Sequence, residues 1–259
     1  MKLIPTWLVV TEVLFTPAAK NILGTFVHDA KNFRMTFIID KDGYVVLSFE
    51  VPERSPFVSA RYPLSGGPDD YTSPSEGVLS WYDRILGISP TADIQTDDLA
   101  TLTRRNFAAF TAYFQGQELI FWRIGCELVP GVYRYYNSTT SREIIYNVHS
   151  VEHTDIHFEC GEGHSARGTF ELVPLNPLAP DEGYEVGSVA KLAEFRRSVV
   201  NVCPVDSKEE DFNFQFALFA AQDAMYVILE GDYLLLMNEG KPLPPGRELG
   251  CSEHGPYLL

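Results

Sequence analysis

The sequence predicts a predominantly β, α+β chain: an antiparallel meander closing into a barrel-like sheet, with two or three helices packed outside it. Three observations predict this. Aromatic residues make up 13% of the 259 residues, with 17 Phe and 13 Tyr, and such rings suit pleated, half-buried surfaces. Short runs of alternating apolar and polar residues recur between clusters of Gly, Pro, Asn and Asp, the signature of half-buried strands joined by tight turns. A few stretches instead repeat apolar residues at helical spacing. With 45% hydrophobic and 21% charged residues, the composition is that of a globular chain long enough to bury a core.

The opening MKLIPTWLVVTEVLFTPAAK combines Lys2, an apolar run and Ala18-Ala19, features of a secretory leader. Pro5 and Glu12 interrupt the run, and the alternation of Trp7, Val9 and Thr11 reads equally as a first strand. Arg34 to Val51 forms two β-branched runs about Asp40-Lys41-Asp42-Gly43, where Gly43 supplies the positive φ of a hairpin loop. Asp40 and Asp42 begin like a calcium loop, but Tyr44 and Val45 stand where oxygen ligands and the turning glycine belong. Gly24-Thr25-Phe26, ahead of an aromatic-bearing strand and this hairpin, is similar to the opening of lipocalin-like barrels. The barrel expectation itself rests on the alternating strands and short turns.

Pro63 to Gly77 is crowded with breakers and reads as a surface loop before a short helix over Val78 to Leu86. A second helix is expected from Thr96, a capping residue, through Asp97 and Asp98. Its face would carry Leu99, Thr103, Phe107, Phe110 and Phe114, although its end also reads as a hairpin about Gly116. Leu119 to Val173 contains about five strand-like runs in meander. After the breakers of Pro174 to Gly183, Val189, Leu192, Phe195 and Val199 mark one helical face that ends at Pro204. In DFNFQFAL, Phe212, Phe214, Phe216 and Leu218 alternate as one face of a strand, and MYVILE and YLLLM follow it. Five and three strands make about eight, enough to close a small barrel. The expected organisation is a β-rich region with a short helix over 1–95, then a barrel-like region over 96–259 with an inserted helix and an irregular tail. The two can equally form one continuous domain. No sequence repeat stands out.

The net charge of −15 comes from 35 acidic and 20 basic residues, which repels phosphate backbones unless cations cluster. The basic pairs Arg104-Arg105 and Arg196-Arg197 fall in expected helices and make no such cluster. Nucleic acid is therefore not an expected partner, and a membrane is not either, since no run reaches the ~18 apolar residues of a spanning helix. Cys126, Cys160, Cys203 and Cys251 contain no CxxC and read as buried free thiols of a cytoplasmic protein. Secretion is the alternative, with two disulfides and a glycan acceptor at Asn137-Ser138-Thr139.

HSVEHTDIHFECGEGH, from His149 to His164, concentrates four of the six histidines. His149, His153 and His157 are spaced for a helical metal site, but Val148, Val151, Thr154, Ile156 and Phe158 favour a strand. On a strand, residues four apart are separated by about 13 Å, so no metal site and no cofactor are expected. If that face points into a barrel, His157, Asp155 and Glu159 become candidate proton-transfer residues, because burial tunes His and carboxylate pKa values. Gly161 to Ala166 matches GxGxxA, yet no helix follows to receive a phosphate; the run reads as a turn between strands.

The functional expectation is binding of a small apolar or aromatic molecule in the barrel, walled by Phe212, Phe214 and Phe216 with Tyr133 and Tyr135. A variant adds isomerisation, cyclisation or decarboxylation at His157, Asp155 or Glu159. The alternative is a non-catalytic acidic protein that binds or inhibits a basic protein partner.

Overall fold

The computed structural model describes residues 22–161, 163–176, 183–203 and 212–239. The opening run read as leader or strand, Cys251 and the Pro-rich tail lie outside these. The expected class is found: a mostly β, lipocalin-like α+β chain of antiparallel, barrel-like sheets with two helices. The strands divide between two sheets rather than meeting in one.

The first sheet begins with β1 (Gly24–Asp29), β2 (Arg34–Ile39), β3 (Tyr44–Glu50) and β4 (Phe57–Val58). The short β5 (Tyr62–Pro63), β6 (Ser65–Gly66) and β7 (Asp70–Thr72) lead into helix α1 (Ser75–Ile88). It ends with β8 (Thr101–Arg104), β9 (Ala109–Phe114) and β10 (Gln117–Ile124). The spatial order is β4-β3-β2-β1-β10-β9-β8-β7-β6, with β5 also on β3. The second sheet contains β11 (Gly131–Asn137), β12 (Arg142–Ser150), β13 (His153–Cys160), β14 (Ser165–Phe170), β15 (Leu172–Pro174) and β16 (Tyr184–Val186). Helix α2 (Val189–Val202) and then β17 (Phe216–Ala221), β18 (Ala224–Leu229) and β19 (Asp232–Asn238) complete it. Its order is β14-β13-β12-β11-β19-β18-β17-β16-β15.

The two orders are the same topology written twice. In each, four meandering strands, a small hairpin and a helix precede three more strands, the last of which pairs back on the first. The helices match in detail: α1 buries Val78, Trp81 and Ile85, and α2 buries Leu192, Phe195 and Val199, at identical spacing. Each helix joins the core of its own sheet, Trp81 with Phe37 and Phe121, Phe195 with Phe158 and Phe170. Both final hairpins turn on a positive-φ pair, Gln115-Gly116 and Glu230-Gly231.

The expected hairpin about Gly43 forms as read, with Asp40 Oδ1 accepting the backbone N–H groups of Asp42 and Tyr44 at 2.9 and 3.0 Å. The expected helix from Thr96 does not. Phe110, Ala112 and Phe114 alternate into the first core on β9, so rings spaced for a helix serve a strand. Asn106 breaks the run by accepting the Ala108 N–H at 2.8 Å, as Asx turns do. Asp98, expected in a first helical turn, is instead buried beside the β9-β10 turn, accepting N–H groups from Gln95 at 2.8 Å and Gln115 at 2.6 Å. The Leu119 run belongs to β10 and the first sheet, so the passage between sheets falls within 125–130.

The sheets meet through Leu23 and Phe107 on one side and Leu218, Ala220, Ala224 and Tyr226 on the other. Arg123 joins them. Its Nε donates to Phe107 O at 2.9 Å, its Nη1 donates to Leu23 O, and its guanidinium carbon lies 4.3 Å from the Phe26 ring and 4.8 Å from those of Phe107 and Tyr226. Burial pulls its pKa down to about 10, opposed by Tyr226, so it stays cationic among the rings.

The described cysteines are bonded, as the secretion alternative has it and contrary to the reading as free thiols. Cys160 at the end of β13 and Cys203 at the C-cap of α2 form a disulfide with Cα atoms 5.5 Å apart, and no described cysteine is free. Widely spaced cysteines carry no sequence signal for pairing; the helix returning over its sheet brings them together.

Candidate functional site

The first sheet leaves an open cleft of about 240 Å³ at the ends of β1 and β3, lined among others by Phe33, Arg34, Glu50, Val51, Pro52 and Arg54. Sequence creates it locally: VPERSP places two prolines around Arg54 directly after β3, which interrupts pairing before the chain returns as β4 against β3. Phe33 forms the floor, half-buried, with its ring 5.6 Å from Phe49 and 5.4 Å from Phe114 in the core below. Arg34 faces Glu50 across the β2-β3 ladder and lies 3.4 Å from Asp29. Arg54 Nη1 donates to Ile88 O at the C-terminal end of α1. The cleft thus has an apolar floor and a rim carrying two guanidinium groups. None of these residues was singled out from sequence; the paired prolines beside an arginine were the signal available.

The corresponding end of the second half is arranged differently. There Cys160, the last residue of β13, is joined to Cys203 at the end of α2. A covalent bond links the end of that strand to the end of its helix, where in the first half Arg54 hydrogen-bonds Ile88 O.

The residues expected to wall a cavity lie elsewhere. Phe212 and Phe214 are fully buried in the second core, with Phe158 centroids 5.5 and 5.7 Å away and Phe195 5.1 Å from Phe214. Phe216 leaves that row. Asn213 Oδ1 accepts the Gln215 N–H at 3.0 Å, the alternation shifts, and Ala217 and Phe219 take the core face while Phe216 meets Phe107 between the sheets. Tyr133 is buried in the second core, its hydroxyl donating to Val129 O at 2.8 Å, and burial raises its pKa. Tyr135 is half-buried against the same core.

Asp155, His157 and Glu159 share a face of β13, but Ile156 and Phe158 between them point to the core. The row therefore faces out of the curled sheet, and the condition that made it a candidate for chemistry inside a barrel is not met. His157 is held below its ordinary pKa by burial and by Arg167 on β14, against Glu159 and Glu143. Its Nε2 is out of contact with solvent and without a hydrogen-bond partner among the described residues.

What the sequence separated, the fold brings together at the other end of β13. The strand turns at Val151-Glu152, so His149 and His153 lie on adjoining strands and not along one. Their Nε2 atoms are 3.3 and 3.6 Å from Asp155 Oδ2. Gly161 and Gly163 adopt positive φ in the β13-β14 connection, and the strand that follows agrees with the reading of this run as a turn.

No family model matches the sequence, and comparison with curated proteins finds no match. No described helix is long and apolar enough to cross a membrane.

Proposed function

We propose that the chain binds a small molecule consisting of an apolar ring and an anionic group, seated over Phe33 with its charge toward Arg34 and Arg54. The observation that carries this reading is the contrast between matching ends of the two halves. One is tied by a disulfide, and the other has an open cleft over Phe33 with two cations at its rim. Concave apolar surface with a few polar anchors is the usual form of a ligand site. The volume of about 240 Å³ lies below the ~300 Å³ at which drug-sized pockets begin, so the ligand is a single ring with a short acidic arm. The Cys160–Cys203 bond supports residence in a compartment that keeps thiols oxidised.

Titration with single-ring aromatic carboxylates, followed by thermal unfolding and amide NMR, tests the reading. Saturable stabilisation is expected, with shifts confined to the cleft and abolished by Val51→Trp, which fills it. Stabilisation that survives Val51→Trp, or none with any apolar acid, overturns it.

A second reading has its own observation. On the outer face of the first sheet Tyr113, Ile120 and Trp122 are 56%, 44% and 57% exposed, an apolar strip on a chain of net charge −15. Such a strip suits a protein partner, and a basic one would dissociate as salt rises.

A further inference from the structure

The β12-β13 hairpin brings two imidazoles and a carboxylate together around a β-bulge. Val148 pairs with Thr154 and Ser150 with His153, so His149 is the extra residue of a β-bulge. Bulges re-aim side chains and cost ladder hydrogen bonds, and they are enriched beside functional sites. Here the bulged imidazole is directed at Asp155, and the first residue of the next strand, His153, is directed at the same atom. His149 Nε2 and His153 Nε2 lie 3.3 and 3.6 Å from Asp155 Oδ2, and all three donor atoms fall within 4.8 Å of one another. The other carboxylate oxygen is occupied: Thr169 on β14 donates its hydroxyl to Asp155 Oδ1 at 2.6 Å. That bond fixes the carboxylate plane and leaves Oδ2 facing the imidazoles.

We infer that this hairpin is a site for a divalent transition-metal ion of the zinc class, bound by His149, His153 and Asp155. In a tetrahedral site with bonds of about 2.0–2.1 Å, neighbouring ligand atoms are roughly 3.3 Å apart. Two of the three donor separations are therefore near that edge already. The third closes by rotation of His149 or His153, both exposed at the surface. Two imidazoles and one carboxylate select zinc, cobalt, nickel or copper over magnesium and calcium, which prefer all-oxygen shells. Thr169 is the outer partner that metal-bound carboxylates normally have. Three protein ligands on an open surface leave one position for water or an external ligand, as in zinc sites that act on substrates. The site belongs to the second half of the chain and is independent of the cleft proposed above.

The test uses the untagged full-length chain, stripped with chelator and titrated with Co²⁺ and Zn²⁺ by absorbance and calorimetry. One saturable equivalent is expected, with visible Co²⁺ bands of a four-coordinate complex that Zn²⁺ abolishes and Mg²⁺ and Ca²⁺ leave in place. His149→Ala/His153→Ala should weaken binding by about a hundredfold or more, and Thr169→Val by about tenfold, with unfolding temperatures unchanged in the absence of metal. His157→Ala, on the same strand, should bind as the parent does. Absence of saturable binding to the parent, or binding undiminished in the double variant, overturns the inference.

Discussion

Apart from the short β5, the two halves of this protein share one strand order, yet they are built from different residues and finished differently at one end. Counted from their matching turns, Phe110, Phe114 and Phe121 in the first half stand where Met225, Leu229 and Leu236 stand in the second. Trp81 on α1 matches Phe195 on α2. The first core is a mesh of rings, with Phe110 and Phe121 stacked at 5.1 Å and Phe37 edge-on to both. The second mixes rings with aliphatic side chains and is fastened by Cys160–Cys203. The topology is thus carried by where apolar side chains recur and where the chain turns, since volume-conserving exchange of hydrophobic residues keeps a fold. The ends differ more plainly, with a cleft beside Arg54 in the first half and a disulfide in the second.

The helix anchors give the largest test of this equivalence. Trp81 and Phe195 are 0% and 3% exposed, and removing a large buried ring costs about 3–5 kcal/mol. Trp81→Ala and Phe195→Ala should each destabilise by about that amount in denaturant titration, with Trp81→Ala the larger. A small loss for either would mean that its helix is not structurally required, and the equivalence would fail there.

Removing the disulfide should separate the halves. Closing a loop whose ends are 43 residues apart stabilises by about 4 kcal/mol on chain-entropy grounds. Cys160→Ser/Cys203→Ser should lose about this much, and hydrogen exchange should show the loss in β13 and α2 with β1–β3 unaffected. A uniform increase in exchange across both sheets would instead make the chain one cooperative unit.

Much of the fold could be read from sequence because local signals and tertiary packing agreed. The Gly43 hairpin, the α2 face through Leu192, Phe195 and Val199, and the meander from β11 to β14 formed where alternation and turn residues placed them, while the Leu119 run expected to open that meander closes the first sheet instead. The reading failed where two periodicities coincided. Leu99, Thr103, Phe107, Phe110 and Phe114 fit a helix, and only Asn106 and the Gln115-Gly116 turn argued against it. The duplication was illegible because it conserves positions and not residue types. Site residues were harder still. Phe212 and Phe214 carry the strongest aromatic signal in the chain and fill core, whereas the cleft depends on Val51, Pro52 and Arg54, residues that look like an ordinary loop. His149 and His153 meet only because a turn lies between them, and strand spacing alone kept them apart.

The final hairpins sharpen the comparison at lower energy. Gly116 and Gly231 have φ of 69° and 81°. An added Cβ meets Gln95 at an ordinary 3.7 Å in the first and nothing within 4 Å in the second. Space is no obstacle in either, so backbone strain alone sets the cost. Left-handed backbone costs an L-residue about 1–2 kcal/mol, and Gly116→Ala and Gly231→Ala should destabilise by about 1 kcal/mol each. Unequal values would show that one turn relaxes by a different route.

The smallest expected effect on stability is the one most informative about the cleft. Arg54 connects the loop after β3 to the last carbonyls of α1 through Ile88 O, at the position where the second half has its disulfide. That hydrogen bond is exposed, and water replaces it readily, so Arg54→Ala should cost less than about 1 kcal/mol in denaturant titration. Its effect on binding follows from charge. Arg34 already faces Glu50 and Asp29, which leaves Arg54, hydrogen-bonded to a neutral carbonyl and in no ion pair among the described residues, as the stronger anchor for an incoming carboxylate. Arg54→Ala should therefore weaken aromatic acids by roughly tenfold, the scale of one charge-assisted hydrogen bond, and Arg34→Ala by less. The reverse ranking would move the anionic end of the ligand toward β2, and equal insensitivity of both variants would leave the cleft without a role in recognising charge.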